Sequence, residues 1–339
     1  MGETVQEDLE YIANTEFIPW DKLNGKTIFV TGATGLIGYN IVCSLLYAGE
    51  KRKLDIQIVA LVRDEKRARE RFAQQEKYFE KKLKFVVGSV EYLPHINGTV
   101  HYIIHGASQT GSRAFVEQPV ETMKTLICGT MNLLEMAKDK DAEGFAYLSS
   151  MEVYGYPQKG HKVVETDIGT FSPLELRNSY PLSKVQCESL CHAYAEEYGI
   201  PTKIIRLTQT FGSGVNYNDG RVFAYIGRCV KEKTDIVLKT KGETERSYLY
   251  VRDAVTAILT ILLKGEIGGV YNAADESTYC SIAEMAKQIA NSAGIQVKFD
   301  IQPESQNGYP NTLYMDLDAG RLKALGWRAG TPLLGWLRE

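Results

Sequence analysis

FVTGATGLIG, residues 29–38, is the most informative stretch of this 339-residue chain. An apolar run leads into Gly32, Gly35 and Gly38, and a segment of helical character follows them. Small residues at this spacing permit a tight turn, a close approach of backbone N–H groups to a pyrophosphate, and close packing of the helix on the strand. The N-terminus of that helix would stabilise the phosphate charge. The stretch therefore predicts a dinucleotide site, and the alternative is a glycine-rich turn that binds no ligand.

Short apolar runs alternate with stretches of helical periodicity from Lys26 to Ser150, which makes at least five β–α units. The runs are KTIFVTG, IQIVALV, LKFVVG, VHYIIHGA and GFAYLSS, and KIIRLTQTFG (203–212) adds a further strand. Runs rich in valine and isoleucine that are separated by helices are typical of a parallel sheet with crossover connections. The chain is therefore predicted to be an α/β protein with a Rossmann-type, doubly wound parallel sheet.

The predicted domain boundaries lie where this alternation begins and where it loosens. Residues 1–25 are polar with a few apolar anchors, which predicts a short helical extension packed against the main body. The dinucleotide-binding domain is expected at residues 26–207, and the chain is expected to return to it around 246–266. Residues 208–245 and 267–339 predict a smaller lobe of mixed α/β structure that binds the substrate.

Composition excludes several classes of protein. A net charge of −3 provides no basic field for nucleic acid and no polybasic patch for a membrane surface. No apolar run approaches the roughly 18 residues of a membrane span, and the acidic N-terminus lacks the apolar core of a signal peptide. The six cysteines are scattered without a C-x-x-C pair, which indicates reduced thiols and no metal site. We therefore expect a cytoplasmic protein that binds no metal.

The segment NSYPLSK places Tyr180 and Lys184 four positions apart. On a helix, both side chains would lie on one face. The lysine ammonium would then favour the phenolate and lower the pKa of the tyrosine. Such a tyrosine could serve as a base near neutral pH, although an ordinary solvated helix face can carry the same pair.

With the glycine loop and the Tyr–Lys pair in place, the chain resembles the sugar-nucleotide branch of the extended short-chain dehydrogenase/reductase family. Further stretches match that branch in order along the chain: HGAS (105–108), YLSSMEVYG (147–155), RLTQTFG (206–212) and ERSYLYVRDAV (245–255). Within that branch, the sequence resembles UDP-glucuronate decarboxylases most, in the stretches QPVETMKTLICGTMNLL (118–134) and NDGRV (218–222). The dTDP-glucose 4,6-dehydratases are similar as well.

Four positions depart from the family pattern. Met151 stands where dehydratases carry an aspartate that helps to expel the 6-hydroxyl and where decarboxylases commonly carry a small serine. Leu126 and Gln209 each replace a usual asparagine, and Ser89 replaces an aspartate that contacts adenine. These departures leave the implied catalytic residues in place and affect the exact reaction.

The resemblance implies a catalytic role for four side chains. Tyr180 would remove the proton from the sugar's 4-hydroxyl while a hydride leaves C4, and Ser150 would hydrogen-bond the reacting oxygen. Lys184 would also hold the nicotinamide ribose, and Glu152 would handle the C5 proton or orient the sugar. The implied cofactor contacts are Gly32, Thr34, Gly35, Leu36, Ile37, Gly38, Arg63, Asp64, Ser89, Ala107, Tyr180 and Lys184. The implied substrate contacts are Ser150, Gln209, Arg221 and Arg246, the two arginines as diphosphate clamps. His105 is predicted to be structural.

The end of the second predicted strand bears on the choice of cofactor. An acidic residue there would bind the ribose diol of NAD, whereas an arginine suits the 2′-phosphate of NADP. The strand ends in ALVRDE, which places Arg63 at this position and Asp64 directly after it. NADP is favoured and NAD stays open.

The predicted function is that of a nucleotide-sugar epimerase, dehydratase or decarboxylase, with decarboxylase-like chemistry slightly favoured. Two alternatives are an NADP(H)-dependent keto-sugar reductase and a dinucleotide-binding protein without catalysis. The family commonly forms homodimers through two helices of each subunit, one of which carries Tyr180. Val185, Leu190 and Tyr194 are compatible with such a bundle or with an ordinary core.

Overall fold

The computed structural model describes residues 3–109, 111–215, 217–301 and 312–331. Its strands are β1 (Lys26–Thr31), β2 (Ile56–Val62), β3 (Leu83–Val87), β4 (Tyr102–His105), β5 (Gly144–Ser150), β6 (Lys162–Val163), β7 (Thr202–Leu207), β8 (Gln209–Phe211), β9 (Ile236–Leu238), β10 (Glu245–Tyr250), β11 (Gly269–Ala273), β12 (Asp275–Ser281), β13 (Val297–Phe299) and β14 (Tyr314–Leu317). Its helices are α1 (Glu3–Asn14), α2 (Leu36–Arg52), α3 (Glu65–Arg71), α4 (Ser112–Glu117), α5 (Pro119–Asp139), α6 (Ser179–Tyr198), α7 (Val222–Glu232), α8 (Val251–Lys264), α9 (Ile282–Ala293) and α10 (Gly320–Ala324).

In the described part of the chain, the larger sheet has seven strands in the order β11-β7-β5-β4-β1-β2-β3. Every neighbouring pair in it is parallel. The strand order reverses between β1 and β4, so that the crevice at their carboxyl ends is the expected ligand site of a doubly wound sheet. The predicted fold class is confirmed.

Helices cover both faces of this sheet, which is why its strands are almost uninterrupted apolar runs. One apolar core joins the sheet to α1, α2 and α8, and a second joins it to α5 and α6. Tyr180 at the start of α6 belongs to the second core. Helix α6 is therefore anchored against the sheet over most of its length.

The N-terminal segment forms the predicted helical extension. In α1, Leu9 and Ile12 are buried in the core shared with α2 and α8. The buried Asp8 carboxylate accepts hydrogen bonds from the Ser213 hydroxyl at 3.1 Å and from the Tyr250 hydroxyl at 2.9 Å. The extension therefore contacts the smaller lobe as well as the larger sheet.

The smaller lobe is built around β10. This strand lies between β12 and β14, also pairs with β8, and continues through β14 to β6, whereas β9 and β13 pair separately. An apolar core with Phe223 and Ile226 of α7 and Met285 of α9 closes this lobe. Because β8 directly follows β7 of the larger sheet, the two lobes adjoin near the ends of the central strands.

One part of the sequence-based division is wrong. The boundary at residue 267 assigned β11 to the smaller lobe, but β11 pairs with β7 at the edge of the larger sheet. In addition, β6 lies within 26–207 yet pairs with β14 of the smaller sheet. Both strands are short, and their partners are distant in sequence. The rest of the division stays a prediction, and residues 302–311 and 332–339 of the predicted lobe lie outside the described residues.

Across the described ranges of the chain, no helix has both the length and the apolar character needed to cross a bilayer.

Candidate active site

The glycine loop lies at the crevice between β1 and β4. Gly32 has a φ of +68°, and a Cβ added to it would lie 2.6 Å from the carbonyl oxygen of Gly106. A Cβ on Gly38 would lie 2.2 Å from the carbonyl oxygen of Gly32, and Gly35 donates its N–H to that same oxygen at 3.0 Å. Two of the three glycines are therefore required by close backbone contacts. Such close backbone contacts are typical of a loop that binds a pyrophosphate at the N-terminus of the following helix.

The first turn of α2 presents its remaining predicted cofactor contacts toward solvent and the smaller lobe. Thr34 and Gly35 are exposed, and Leu36 and Ile37 are partly buried. Leu36 packs against the core of the smaller lobe, and Ile37 packs against the core of the larger sheet. The opening of α2 therefore lies where the two lobes meet.

The predicted adenosine contacts follow β2, β3 and β4. Arg63 is exposed directly after β2, and Asp64 caps α3 by accepting the N–H of Arg67 at 3.1 Å. Ser89 follows β3 and accepts the N–H of Tyr92 at 3.3 Å. Ala107 follows β4, with its N–H donated to the side chain of a β1 threonine. The Asp64 carboxylate is thus used by a helix cap, whereas the Arg63 guanidinium extends toward solvent.

Lys184 is buried on α6 beside the carboxyl end of β5. Its ammonium donates a hydrogen bond to the carbonyl oxygen of Leu148 at 2.6 Å. It lies 4.7 Å from the centre of the Tyr147 ring and 5.7 Å from the centre of the Tyr180 ring. Burial lowers the pKa of Lys184 to about 8. The lysine is therefore a charge held in an apolar setting, one helical turn from the phenol.

Burial also raises the pKa of the Tyr180 phenol above its usual range. The negative charge of Glu152 raises this pKa further, while hydrogen bonding to the side chains of Ser150 and Ser108 and the positive charge of Arg177 lower it. The lowered pKa that the Tyr–Lys spacing predicts is not what this structure has, because desolvation of the phenol outweighs the neighbouring charge. The phenol needs additional positive charge to act as a base near neutral pH.

Ser150 and Glu152 lie at the end of β5, where the chain enters a 3₁₀ turn at Met151–Tyr154. The Ser150 hydroxyl accepts the N–H of Glu152 at 3.2 Å and so caps this turn. The Glu152 carboxylate in turn accepts a hydrogen bond from the Arg177 guanidinium at 2.8 Å. Ser150 and Glu152 therefore lie near enough to Tyr180 to change the pKa of its phenol, and their catalytic roles stay predictions.

Two residues of this group were missed by the sequence analysis. Phe115 stacks on the Tyr180 ring with centroids 4.3 Å apart and an interplanar angle of 8°. The Arg177 guanidinium lies 4.9 Å from the centre of the Phe115 ring. Arg177 precedes Tyr180 by three positions, and this spacing was the available signal. Nothing in the sequence around Phe115 singles it out.

Met151, the departure from the dehydratase pattern, is a packing residue. Its side chain is buried with Val163, Met315 and Leu317 of the smaller sheet, and its sulfur accepts the Thr208 hydroxyl at 3.4 Å. The position that dehydratases fill with an acid therefore joins the two lobes in this chain.

The predicted substrate contacts lie in the smaller lobe. Gln209 of β8 pairs with Tyr248 of β10, the strand that also carries Arg246. Arg246 has a buried Nε atom without a hydrogen-bond partner among the described residues. Arg221 starts α7 and binds both carboxylate oxygens of Asp219 at 2.6–3.1 Å. No hydrogen bond or ion pair within the described ranges joins Gln209, Arg221 or Arg246 to the Tyr180 group, so their roles stay predictions.

The arrangement of metal-ligating residue types and the environment of His105 bear on two further predictions. Within the described residues, no group of three or more His, Cys, Asp or Glu side chains could hold a metal ion. His105 is buried between the hydroxyls of Thr31 at 2.8 Å and Thr130 at 3.2 Å. Burial lowers its pKa to about 3. The imidazole is therefore neutral and hydrogen-bonded on both sides, as expected of a structural residue.

The similarity of this chain to known proteins covers most of its length. The model of the NAD dependent epimerase/dehydratase family matches residues 28–274. UDP-glucuronic acid decarboxylase 1 of Xenopus tropicalis is 27% identical over 312 residues, which cover 91% of this chain and 69% of the relative.

Two solved structures illustrate the shared fold. UDP-glucose 4-epimerase of Thermotoga maritima, solved with UDP-glucose, has a TM-score of 0.75 at 22% identity, with 92% of this chain and 96% of that chain covered. DesIV, a dTDP-glucose 4,6-dehydratase of Streptomyces venezuelae solved with NAD, has a TM-score of 0.73 at 20% identity, with 92% and 94% covered. At these identities the likeness shows a common fold.

Proposed function

This chain belongs to the NAD dependent epimerase/dehydratase family, and from that premise we propose that it is a nucleotide-sugar enzyme that oxidises the sugar transiently at C4. Decarboxylation of the oxidised sugar is the outcome that we favour over dehydration and epimerisation. The observation that carries the proposal is the group of Ser150, Tyr180 and Lys184 at the same edge of the sheet as the glycine loop. A dinucleotide-binding protein without catalysis has no need of this group.

The residues present fit a nicotinamide dinucleotide. The contacts of Gly32 and Gly38 leave no space for side chains where the pyrophosphate would approach the N-terminus of α2. When bound, an oxidised nicotinamide dinucleotide supplies a hydride acceptor and a positive charge. Lys184 supplies a second positive charge one helical turn from Tyr180.

The chain's own residues then handle the proton of the sugar. Tyr180 takes the proton of the 4-hydroxyl, and the hydride that leaves C4 completes a two-electron oxidation to the ketone. Ser150, whose side chain lowers the pKa of the phenol, is placed to hydrogen-bond the same oxygen. General base catalysis of this kind contributes about 10²- to 10⁴-fold to a rate. Burial of the phenol excludes water from the proton transfer.

The fate of the ketone separates the candidate reactions. In a 4-keto uronic acid the carboxyl group on C5 belongs to a β-keto acid, so that the C5–C6 bond breaks, CO₂ leaves, a proton is added at C5 and the hydride returns to C4. We favour this route because the Xenopus tropicalis relative that covers 91% of the chain is named a UDP-glucuronic acid decarboxylase. The packing of Met151 adds support, because no acid occupies the position that dehydratases use to expel the 6-hydroxyl. Glu152 is the carboxylate placed to handle the C5 proton or to orient the sugar.

We further propose NADP as the preferred cofactor. Arg63 follows β2 and is exposed, and Asp64, the next residue, already caps α3. An arginine at this position suits a 2′-phosphate. Titration of the protein with NADP and with NAD tests this, and equal or tighter binding of NAD would overturn it. Arg63 is also the best support for the second candidate function, an NADPH-dependent keto-sugar reductase.

The assembly that we propose is a homodimer in the reducing environment of the cytoplasm. Val120, Met123 and Met131 form a stripe on α5, and Val185 lies on the adjoining α6, with each side chain 41–58% exposed. A second copy of this chain would cover this apolar face through four helices. All six cysteines are free thiols, as a reducing compartment requires. The dimer is tested by light scattering with Met123→Glu, which should yield monomers.

Mass spectrometry of reaction mixtures tests the activity. Purified protein is incubated with UDP-, dTDP-, CDP- and GDP-sugars, with NAD and NADP supplied separately. Loss of CO₂ from UDP-glucuronate is the expected result, and loss of water would identify a dehydratase instead. Unchanged masses call for deuterium incorporation to reveal an epimerase and for a keto-sugar assay with NADPH to reveal a reductase.

Tyr180→Phe should reduce turnover about 10²- to 10⁴-fold. Tyr198→Phe is the matched control, because Tyr198 ends the same helix with an exposed ring. Turnover that survives in Tyr180→Phe would overturn the mechanism. Silence of the wild-type protein in every assay would favour a binding protein.

A further inference from the structure

Arg177 is the cation of the site that the sequence analysis did not identify. It lies in the 3₁₀ turn at Leu176–Asn178, directly before α6. Its guanidinium donates to Glu152 at 2.8 Å and is centred 4.9 Å from the ring of Phe115. Phe115 is itself stacked on Tyr180 at 4.3 Å. Guanidinium, phenyl ring and phenol thus form three successive layers, with the Glu152 carboxylate at one end.

We propose that Arg177 is a positioning residue that fixes the Glu152 carboxylate and offsets its charge at Tyr180, so that the phenol can ionise in the working pH range. The proposal rests on the proposed function and adds a residue to which no motif assigns a role.

The geometry restricts both partners of the ion pair. Arg177 and Glu152 are 25 positions apart, and their side chains are 25% and 30% exposed. A planar guanidinium can donate to a carboxylate and lie against an aromatic ring at the same time. Phe115 is buried and stacked on Tyr180. Its ring therefore cannot move with the Arg177 guanidinium if that side chain rotates. The carboxylate is therefore held in one orientation at the wall of the site.

The charges that face Tyr180 come from several elements. Glu152 acts from the 3₁₀ turn after β5, Arg177 from the turn before α6, and Lys184 from α6 itself. The Tyr147 phenol of β5 also interacts electrostatically with Tyr180, and the side chains of Ser150 and Ser108 lower the pKa of the Tyr180 phenol. Glu152 raises the pKa of Tyr180 and Arg177 lowers it, while the dominant cause of the raised pKa is burial. Removal of Arg177 leaves the carboxylate unopposed.

The experiment follows the Tyr180 phenol directly and needs no substrate. The protein is produced with fluorinated tyrosine, which brings phenol ionisation to lower pH, and is loaded with its nicotinamide dinucleotide. ¹⁹F NMR then gives the ionisation midpoint of Tyr180, assigned by its absence in Tyr180→Phe. Because this readout is independent of turnover, it separates failure of the inference from failure of the proposed function.

Four variants define the expected pattern. Arg177→Gln should raise the Tyr180 midpoint by about one pH unit, the low end of the effect of a nearby charge. Arg177→Lys should keep most of the wild-type value because it retains the charge. The double variant Arg177→Gln/Glu152→Gln should return toward wild type because the unopposed carboxylate is gone. Arg113→Gln, at an exposed arginine that pairs with Glu117 on α4, should have no effect.

The pH profile of turnover supplies a second readout once the substrate is known. The midpoint of the rise in kcat with pH should move upward in Arg177→Gln by the same amount as the NMR midpoint. An Arg177→Gln midpoint equal to that of wild type would overturn the proposal. So would an equal shift in Arg177→Gln and in the double variant, because the effect would then not pass through Glu152.

Discussion

Two arginine–carboxylate ion pairs lie at α6, and they differ in burial and in the number of hydrogen bonds between their partners. Arg206 binds Glu188 through two nitrogens and both carboxylate oxygens at 2.7–3.2 Å, with side chains 11% and 9% exposed. Arg177 meets Glu152 through a single contact of 2.8 Å, with side chains 25% and 30% exposed. The first pair lies beyond Lys184 on the helix, and the second lies beside Tyr180.

Both members of the buried Arg206–Glu188 pair make further contacts. Glu188 accepts the Ser149 hydroxyl at 2.5 Å, and Arg206 donates to the carbonyl oxygen of Glu165 at 2.9 Å and lies 4.7 Å from the Tyr154 ring. Removal of one partner of such a buried pair is strongly destabilising, because the other charge is left buried without compensation. The partly exposed Glu152 carboxylate accepts only one hydrogen bond among the described residues, from Arg177. The same two residue types therefore form a buried ion pair on one side of Tyr180 and a partly exposed ion pair, for which we propose a role in catalysis, on the other.

The largest effect is expected from breaking the buried pair. Glu188→Ala leaves the Arg206 charge buried and without its carboxylate. Removing one partner of a buried ion pair typically costs about 3–5 kcal/mol. The free energy of unfolding, measured by urea denaturation, should therefore fall by about that amount.

Two further variants show whether the buried pair is purely structural. Glu143→Ala breaks the exposed pair with Lys26 and should cost less than about 1 kcal/mol. Glu188→Met/Arg206→Met removes both charges and should recover much of the loss, because apolar residues can replace a buried pair. A double variant as unstable as Glu188→Ala would contradict the contrast drawn above.

Some features of the candidate site could be predicted from the sequence, and others could not. The glycine loop and the Tyr–Lys pair were predictable because their chemistry depends on local spacing: Gly32 needs its positive φ, and four helical positions bring Tyr180 and Lys184 to one face. The Arg177–Glu152 pair was not, because it depends on how the segment between the 3₁₀ turn and α6 returns to the site.

Two other misses have the same origin in long-range structure. Met151 was noted only as a departure at a position where dehydratases carry an acid, and its packing against the smaller sheet could not be predicted from the sequence. The strand β11 was assigned to the smaller lobe, but its pairing with β7 joins residues more than 60 positions apart. The local sequence pattern predicts whether a segment is a strand or a helix, whereas the segments packed against it determine which side chains come into contact.

An effect of opposite sign is expected at Lys184, a third charge on the same helix that has one carbonyl partner in place of a carboxylate. Its pKa of about 8 lies below the usual 10.5 because the ammonium is buried. Lys184→Met should therefore stabilise the protein at pH 7, by on the order of 1–3 kcal/mol, while it abolishes turnover.

The pH dependence of the free energy of unfolding tests this prediction for Lys184→Met. Between about pH 8 and 10.5 the unfolded chain binds the Lys184 proton and the folded protein does not, so wild-type stability gains from this group as the pH rises. The advantage of Lys184→Met should be full below pH 8 and shrink toward pH 10.5. Denaturation at pH 7, 9 and 10 measures it, and an advantage that grows with pH would contradict the assignment.

The smallest effect on stability is expected from Arg177→Ala. Because the Arg177–Glu152 pair is partly exposed and makes one contact, its removal should change the free energy of unfolding by less than about 1 kcal/mol. The same urea denaturation used for Glu188→Ala measures this change, so the two pairs are compared on one scale. A loss of 3 kcal/mol or more would make the two pairs equivalent and would place Arg177 among the residues that hold the fold. A small loss accompanied by a shifted pH profile separates them, because only a charge left open to the site can change ionisation there without weakening the protein.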